Sequence, residues 1–412
     1  MKPLSYLTSL ALITLFPFLL TAQTETVDLS MVYRIKQEGM KNSAIEDLVF
    51  GLTDLSGSRL TGSSGGARGN EWARKKMEEL GFQNVRMEEA GDFTRGGWDN
   101  LRTYAAMTSP YYINFACNPV AWTGSTNGPV KAEVILLDIS SVNDFEKFRG
   151  KLAGKIVMMP STDTYDVSFD PLASRYTDEE LKQISMAGFR PQARRPRADM
   201  ANYAALRELM EKLYQFIKAE GAAAILNNAG TFNVPRSTRY DYRVGDPEPV
   251  PEINIPVEAY GRMARLLGNS VRVEMEIEII NRFFESSKVY NVIGEIPGTD
   301  KLLKNEVVLL GAHIDSWHGG TGAADNASGC AVMMEALRIL KKLNVAPRRT
   351  IRVALWGGEE EGYLGSRGYV NKYLIDRETK EHKPDFEKFA AYFNMDNGSG
   401  KYRGIFIQEN DM

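Results

Sequence analysis

The chain is poor in the residues that would staple or anchor it. Its 412 residues include only 2 cysteines, too few for a disulfide scaffold. Cys330 lies in the apolar run Cys330-Ala331-Val332-Met333-Met334, the setting of a small core residue rather than a nucleophile, which argues against a Cys–His peptidase. A net charge of −3 supplies no electrostatic footprint for nucleic acid. There is no internal repeat and no long low-complexity tract. Past the N-terminus no stretch is long and apolar enough to span a bilayer. What remains, 43% hydrophobic and 25% charged, is the composition of a globular protein with a sizeable core, of about two or three domains by length.

The first residues read as an address rather than as fold. Met1-Lys2 is followed by an apolar core from Tyr6 to Leu20, interrupted by Pro17, and then by Leu20-Thr21-Ala22 before Gln23. That is the pattern of a secretory signal peptide over 1–22, and the core is shorter than the ~20 residues a spanning helix needs. No Cys follows it to carry a lipid. The expectation is a secreted or periplasmic protein without a stable membrane anchor.

Taken in order, 29–38 and 43–55 are helical in pattern, and 57–70 reads as a loop because it is rich in Gly and Ser. An amphipathic helix over 71–80 ends at Gly81 as its C′ residue, and a strand follows at 82–87. From about 118 the texture changes. Strands are expected at 134–137, 155–159, 221–226, 253–257 and 271–280, with a long helix at 198–220. Residues 175–200, including Arg190, Arg194, Arg195 and Arg197, read as a solvated basic loop. We expect a mainly β module at 118–285, inserted into a domain whose two parts are 23–117 and 286–412.

Three segments of that last part share one design. Val307-Val308-Leu309-Leu310-Gly311-Ala312 delivers His313 and Asp315, Ile351-Arg352-Val353-Ala354-Leu355-Trp356 delivers Glu359 and Glu360, and Phe389-Ala390-Ala391-Tyr392-Phe393-Asn394 delivers Asp396. Short apolar runs alternating with helical segments predict an α/β fold, and in such sheets chemistry gathers beyond the carboxyl ends of the strands. If His313, Asp325, Glu360 and Asp396 converge, each pair of carboxylates repels by about 4 kcal/mol at ~4 Å and an effective dielectric near ~20. Such a cluster persists when it binds cations or protonates. One His with several carboxylates suits zinc, ahead of manganese or cobalt. In His313-Ile314-Asp315 the first and third side chains share a strand face, which fits one ligand and a carboxylate behind it. Asp325 follows the flexible Gly319-Gly320-Thr321-Gly322. Adjacent acids on a loop are often only solubilising, but Glu359 and Glu360 follow a buried strand. One can ligate a metal while its neighbour accepts a proton.

The ordered set His313-x-Asp315, Gly322-Ala323-Ala324-Asp325-Asn326-x-Ser328-Gly329, Glu359-Glu360-x-Gly362-x-x-Gly365-Ser366 and Asp396 resembles the di-zinc M28 peptidases. The Ser316-Trp317 extension is most similar to the secreted carboxypeptidase Q group of that family. The resemblance implies a three-layer αβα zinc-exopeptidase domain with a mostly parallel twisted sheet, and a protease-associated domain at 118–285. It implies two Zn2+ ions bridged by Asp325, with His313 and Asp396 completing one site, Glu360 on the other, Glu359 as general base and Asp315 orienting His313. A cis peptide after Asp325 is implied as well. The family takes a further His from beyond the third carboxylate. His318 and His382 are poor replacements for it, so the chain is expected to be a truncated version of a longer enzyme. The function expected is hydrolysis of peptides at an end, or of dipeptides, and a homodimer is left open. The rival readings are a non-catalytic binding protein on the same fold and a one-zinc acyltransferase of the glutaminyl-cyclase kind.

Overall fold

A computed structural model describes residues 27–160, 169–171, 174–186, 197–230, 238–239, 241–284, 288–396 and 398–405. The signal peptide expected at 1–22 and the basic residues Arg190, Arg194 and Arg195 lie outside the described residues. Of Arg197 only the helical backbone is described.

Two helices come first. α1 (Leu29–Lys41) is capped by the Asp28 carboxylate, and α2 (Ile45–Phe50) runs on through a π-turn at Gly51–Leu55. α3 (Ser64–Glu79) leads to β1 (Gln83–Asp92) and β2 (Gly97–Ser109). The short β3 (Ile113–Asn114) and β4 (Asn118–Pro119) precede β5 (Val130–Leu136) and β6 (Ile156–Met158). Then come α4 (Asp178–Met186), α5 (Arg197–Ala219), β7 (Ala224–Asn228), β8 (Glu252–Ile255), α6 (Val257–Gly268) and β9 (Glu274–Phe284). The chain continues with β10 (Lys288–Ile296), β11 (Val307–His313), α7 (Ser328–Lys342), β12 (Thr350–Trp356), α8 (Leu364–Tyr369) and β13 (Phe389–Asn394).

The first sheet has the order β1-β10-β12-β11-β13. β11 is parallel to both β12 and β13, whereas β10 is antiparallel to β1 and β12. The sheet is therefore mixed rather than mostly parallel, with its parallel part made of the three strands that carry the acids and His313. Neighbouring residues on a strand face opposite ways, and the two faces bury different cores. Val292, Val353 and Leu355 meet Leu48, Met77 and Leu337 from α2, α3 and α7. Ile293, Ala354 and Trp356 meet Tyr369 of α8 and Leu374. Helices on both faces make the three layers expected of an α/β domain.

The second sheet has the order β3-β2-β9-β5-β6-β7-β8-β4. It reaches back beyond residue 118, because β2 pairs with β9 along its length, from Gly97 with Phe284 to Ser109 with Glu274. Its strands β5 to β8 are parallel. Leu213 and Ile217 of α5 pack with Val157 and Ile225, while Tyr260 and Met263 of α6 pack with Ile156 and Leu226 on the other face. The unit thus carries more helix than a mainly β reading implies. Part of the segment read as a basic loop, 178–186, is the helix α4.

The expected loop at 57–70 is helical from Ser64. Ser63 accepts the Gly66 N–H at 3.0 Å, an N-cap. The glycines that suggested a turn serve close packing instead. A Cβ on Gly65 would come within 2.0 Å of the Ser58 carbonyl oxygen, and one on Gly69 within 2.6 Å of the Arg59 side chain. Backbone cannot yield at Ser58, so Gly65→Ala should lower stability by about 2–3 kcal/mol through overpacking. Urea unfolding of the variant checks this, and an unchanged midpoint would contradict the packing account.

Candidate metal centre

β11, β12 and β13 run in the same direction, so their carboxyl ends open at one side of the sheet. His313 is the last residue of β11 and is 2% exposed. Its Nε2 lies 3.0 Å from one oxygen of Asp325 and 3.0 Å from one oxygen of Asp396. His313, Asp325 and Glu360 each turn a ligand atom to within 4.8 Å of the others. The structure thus brings His313, Asp325 and Glu360 together, with Asp396 joining through His313.

Asp315 is 4% exposed and turns out to be a hub. Its two oxygens accept the main-chain N–H groups of Glu359 (3.1 Å) and Glu360 (3.2 Å), and the Thr61 hydroxyl donates to it at 3.1 Å. The His313 ring is steered by main chain: Nδ1 is 3.1 Å from the Asp315 carbonyl oxygen and 3.6 Å from its carboxylate. A ligand imidazole held at its other nitrogen is fixed in tautomer and rotation.

Two buried amides complete the frame. Asn326 donates to the Met395 carbonyl at 2.8 Å and accepts the Gly329 N–H at 3.2 Å. It thus ties the turn bearing Asp325 to the residue before Asp396. The Asp325–Asn326 peptide is cis, as the resemblance implied. Asn291 of β10 accepts the Gly357 N–H at 3.2 Å and donates to the Gly365 carbonyl at 3.0 Å, bracketing the loop of Glu359 and Glu360.

Arg59 lies fully buried behind the cluster. It donates from Nε to the Ile314 carbonyl (2.7 Å) and from its terminal nitrogens to the carbonyls of Leu52 (2.6 Å), Thr321 (2.6 Å) and Gly322 (3.2 Å). A buried cation satisfied by carbonyls leaves its charge to balance nearby acids.

Crowding shows in the ionisation. Burial pushes the His313 imidazole down, but the carboxylates of Asp315, Asp396 and Glu359 outweigh it and hold the metal-free ring up to about 10. Burial and the Asp325 charge push Glu360 up to about 7, against the opposing Trp317 indole. Glu359 is raised too, by burial and then by Asp396, Asp315 and Asp325, which together outweigh His313. Glu361 was not singled out from sequence. Both its oxygens are buried without a hydrogen-bond partner among the described residues, since the single Thr61 hydroxyl proton goes to Asp315. Burial and the Asp315 charge push Glu361 up to about 8.

The other histidines take no part. His318 donates from Nε2 to the Pro119 carbonyl at 2.7 Å, and His382 stacks on Phe386 at an exposed site. Cys330 is a buried core thiol donating to the His313 carbonyl at 3.0 Å, pushed up to about 12 chiefly by burial.

The donor set fits a divalent cation. One imidazole and several carboxylates suit zinc, and the buried Glu360 Oε1 has no hydrogen-bond partner among the described residues, an atom left available for coordination.

Fold and cluster together define the class: a three-layer α/β protein with a candidate metal centre at the ends of its parallel strands. Residues 291–412 match Peptidase family M28, and the chain carries an M28 peptidase domain there. Carboxypeptidase Q of Mus musculus is 24% identical over 364 residues, 87% of this chain and 66% of that protein. Probable leucine aminopeptidase 2 of Arthroderma benhamiae is 37% identical over 188 residues, 45% of this chain and 34% of that protein. The crystal structure of a Peptidase M28 precursor from Shewanella amazonensis SB2B shares the fold, with a TM-score of 0.56 at 24% identity over 90% of this chain and 74% of that one. The chain spans about two thirds of the length of the carboxypeptidases Q it matches. Among the described residues no helix is long and apolar enough to cross a membrane.

A protonated His313 must lose its proton to coordinate. Apparent affinity for a divalent metal should therefore rise with pH from 6 toward 9, by up to about tenfold per unit, with proton release on binding. Titration calorimetry in two buffers of different ionisation enthalpy checks the release, and a pH-independent affinity would contradict it.

Proposed function

We propose that the protein is an exported, zinc-dependent exopeptidase that hydrolyses peptide bonds at a chain end or in dipeptides. One observation carries this reading: His313, Asp325 and Glu360 converge within 4.8 Å, inside the segment that matches an M28 peptidase. Export rests on the signal-peptide pattern of 1–22. The segment 118–285 is read as the inserted protease-associated module.

Asp325 would hold zinc together with its neighbours, since it stands 3.0 Å from His313 and shares a ligand set with Glu360. His313 and Asp396 would hold one ion, and Glu360 the other. Zinc bound there supplies Lewis acidity and brings the pKa of water down to about 7. Glu359 then has the role of general base. Its backbone is pinned by Asp315 and burial raises its carboxyl, the direction that suits a group which takes a proton and returns it to a leaving amine. Asp315 positions both glutamates at once.

The relatives are named a carboxypeptidase and a leucine aminopeptidase, which favours an exopeptidase and leaves open the end attacked. Glu359→Gln should lower hydrolysis of aminoacyl and dipeptide substrates by about 10²–10⁴-fold while bound zinc is unchanged. Turnover and metal content measured on the same preparation check this. Full activity in that variant would sink the general-base role, and activity that survives complete zinc removal would sink the metallopeptidase reading.

A further inference from the structure

The guanidinium behind the metal centre joins two of the segments that carry candidate ligands. Arg59 is fully buried, and its side chain donates to main-chain carbonyls. Nε donates to Ile314, between His313 and Asp315, at 2.7 Å. One terminal nitrogen donates to Thr321 at 2.6 Å and the other to Gly322 at 3.2 Å, four and three residues before Asp325. The first of these nitrogens also reaches Leu52 at 2.6 Å, in the π-turn after α2. The main chain of Arg59 docks on the same place. Its N–H donates to the Ser316 hydroxyl at 3.0 Å, and its carbonyl accepts the Ser316 N–H at 3.1 Å.

One planar group therefore brings together the exit of β11 and the Gly-rich turn before Asp325. Gly322 packs so close to that exit that a Cβ on it would run into the Ser316 side chain. His313 Nε2 and one Asp325 oxygen stand 3.0 Å apart across this junction. A glycine-rich turn has little stiffness of its own, so that spacing is set by whatever ties the turn down. Asn326 holds its far end to Met395, and Arg59 holds its near end. Arginine suits the task because its donors are fixed in one plane, whereas a lysine ammonium is a point charge on a flexible stem. The positive charge of Arg59 works against a bound cation. Its charge and its hydrogen bonds thus act on metal affinity with opposite signs.

We propose that Arg59 is a positioning residue for the metal centre: its fork fixes the turn of Asp325 against the end of β11 and so sets the span between His313 and Asp325. The proposal rests on the reading of His313, Asp325 and Glu360 as ligands. It puts a determinant of the site outside residues 291–412, the segment that matches the peptidase family.

Co2+ is the probe, since its visible absorption reports ligand geometry as well as occupancy. The full chain is stripped of metal and titrated with Co2+ as wild type, Arg59→Met and Arg59→Lys, with folding checked by circular dichroism. Arg59→Met fills the space without donors or charge. It should weaken binding by about 10–100-fold and alter the absorption envelope. Arg59→Lys keeps the charge but puts a single nitrogen in place of the fork, and should alter the envelope as well. Wild-type affinity and spectrum in folded Arg59→Met would overturn the proposal. So would tighter binding with an unchanged spectrum, the mark of a charge acting alone. Should Arg59→Met fail to fold, an unchanged spectrum in Arg59→Lys overturns it equally. A wild-type chain that binds no Co2+ would bring down the metal reading and this proposal with it, whereas intact wild-type binding with indifferent variants would bring down the proposal alone.

Discussion

Asp315 accepts two main-chain N–H groups from the loop after β12 while standing two residues beyond the end of β11. Those hydrogen bonds bring Glu359 and Glu360 to the side of the sheet where Asp325 and Asp396 already face His313. Without them the glutamates have every electrostatic reason to swing into water. Carboxylates ~4 Å apart repel by about 4 kcal/mol at an effective dielectric of ~20. Hydrogen bonds from neutral amides to a carboxylate are charge-assisted and oppose that tendency. The Arg59 charge, buried among carbonyls, works in the same direction from behind.

The centre is over-determined by amides as much as by charges. Asn326 holds the turn of Asp325 to Met395, and Asn291 brackets the glutamate loop between Gly357 and Gly365. Neither contributes charge, so neither adds to the repulsion. Each spends its hydrogen-bonding capacity on main chain, which leaves the acids free for a cation. An orphaned polar group in such a frame costs about 1–3 kcal/mol, and the Glu361 carboxyl is one, since both its oxygens are buried without a hydrogen-bond partner among the described residues.

Some of this was legible along the chain. Strand, candidate ligand and loop recur three times between 307 and 396, with His313 ending β11 and Glu360 and Asp396 following shortly after β12 and β13, because apolar runs and Gly boundaries are local signals. Other features were not. The glycines at 65, 66 and 69 suggested a loop, yet they let a helix approach the backbone of Ser58 and Leu60 and the side chain of Arg59. Composition alone does not separate a glycine needed for conformational freedom from one needed for proximity. β2 carries no clean alternation of buried and exposed residues: Asn100, Leu101 and Arg102 are exposed in succession and Ala105, Ala106 and Met107 are buried in succession. Its identity as a strand comes from pairing with β9, far away in the chain.

The amino-acid sequence by itself determined the type and order of the candidate ligand residues, the α/β alternation that carries them and the class of cation they would suit, since side-chain chemistry and periodicity reside in the residues. Only the tertiary structure decided which groups aim those ligands. Arg59, Thr61 and Asn291 act on partners that are distant in sequence, from the 255 positions between Arg59 and Ile314 to the 74 between Asn291 and Gly365. No local pattern encodes such a contact, because it exists only once two strands and the turns beyond them have closed on each other.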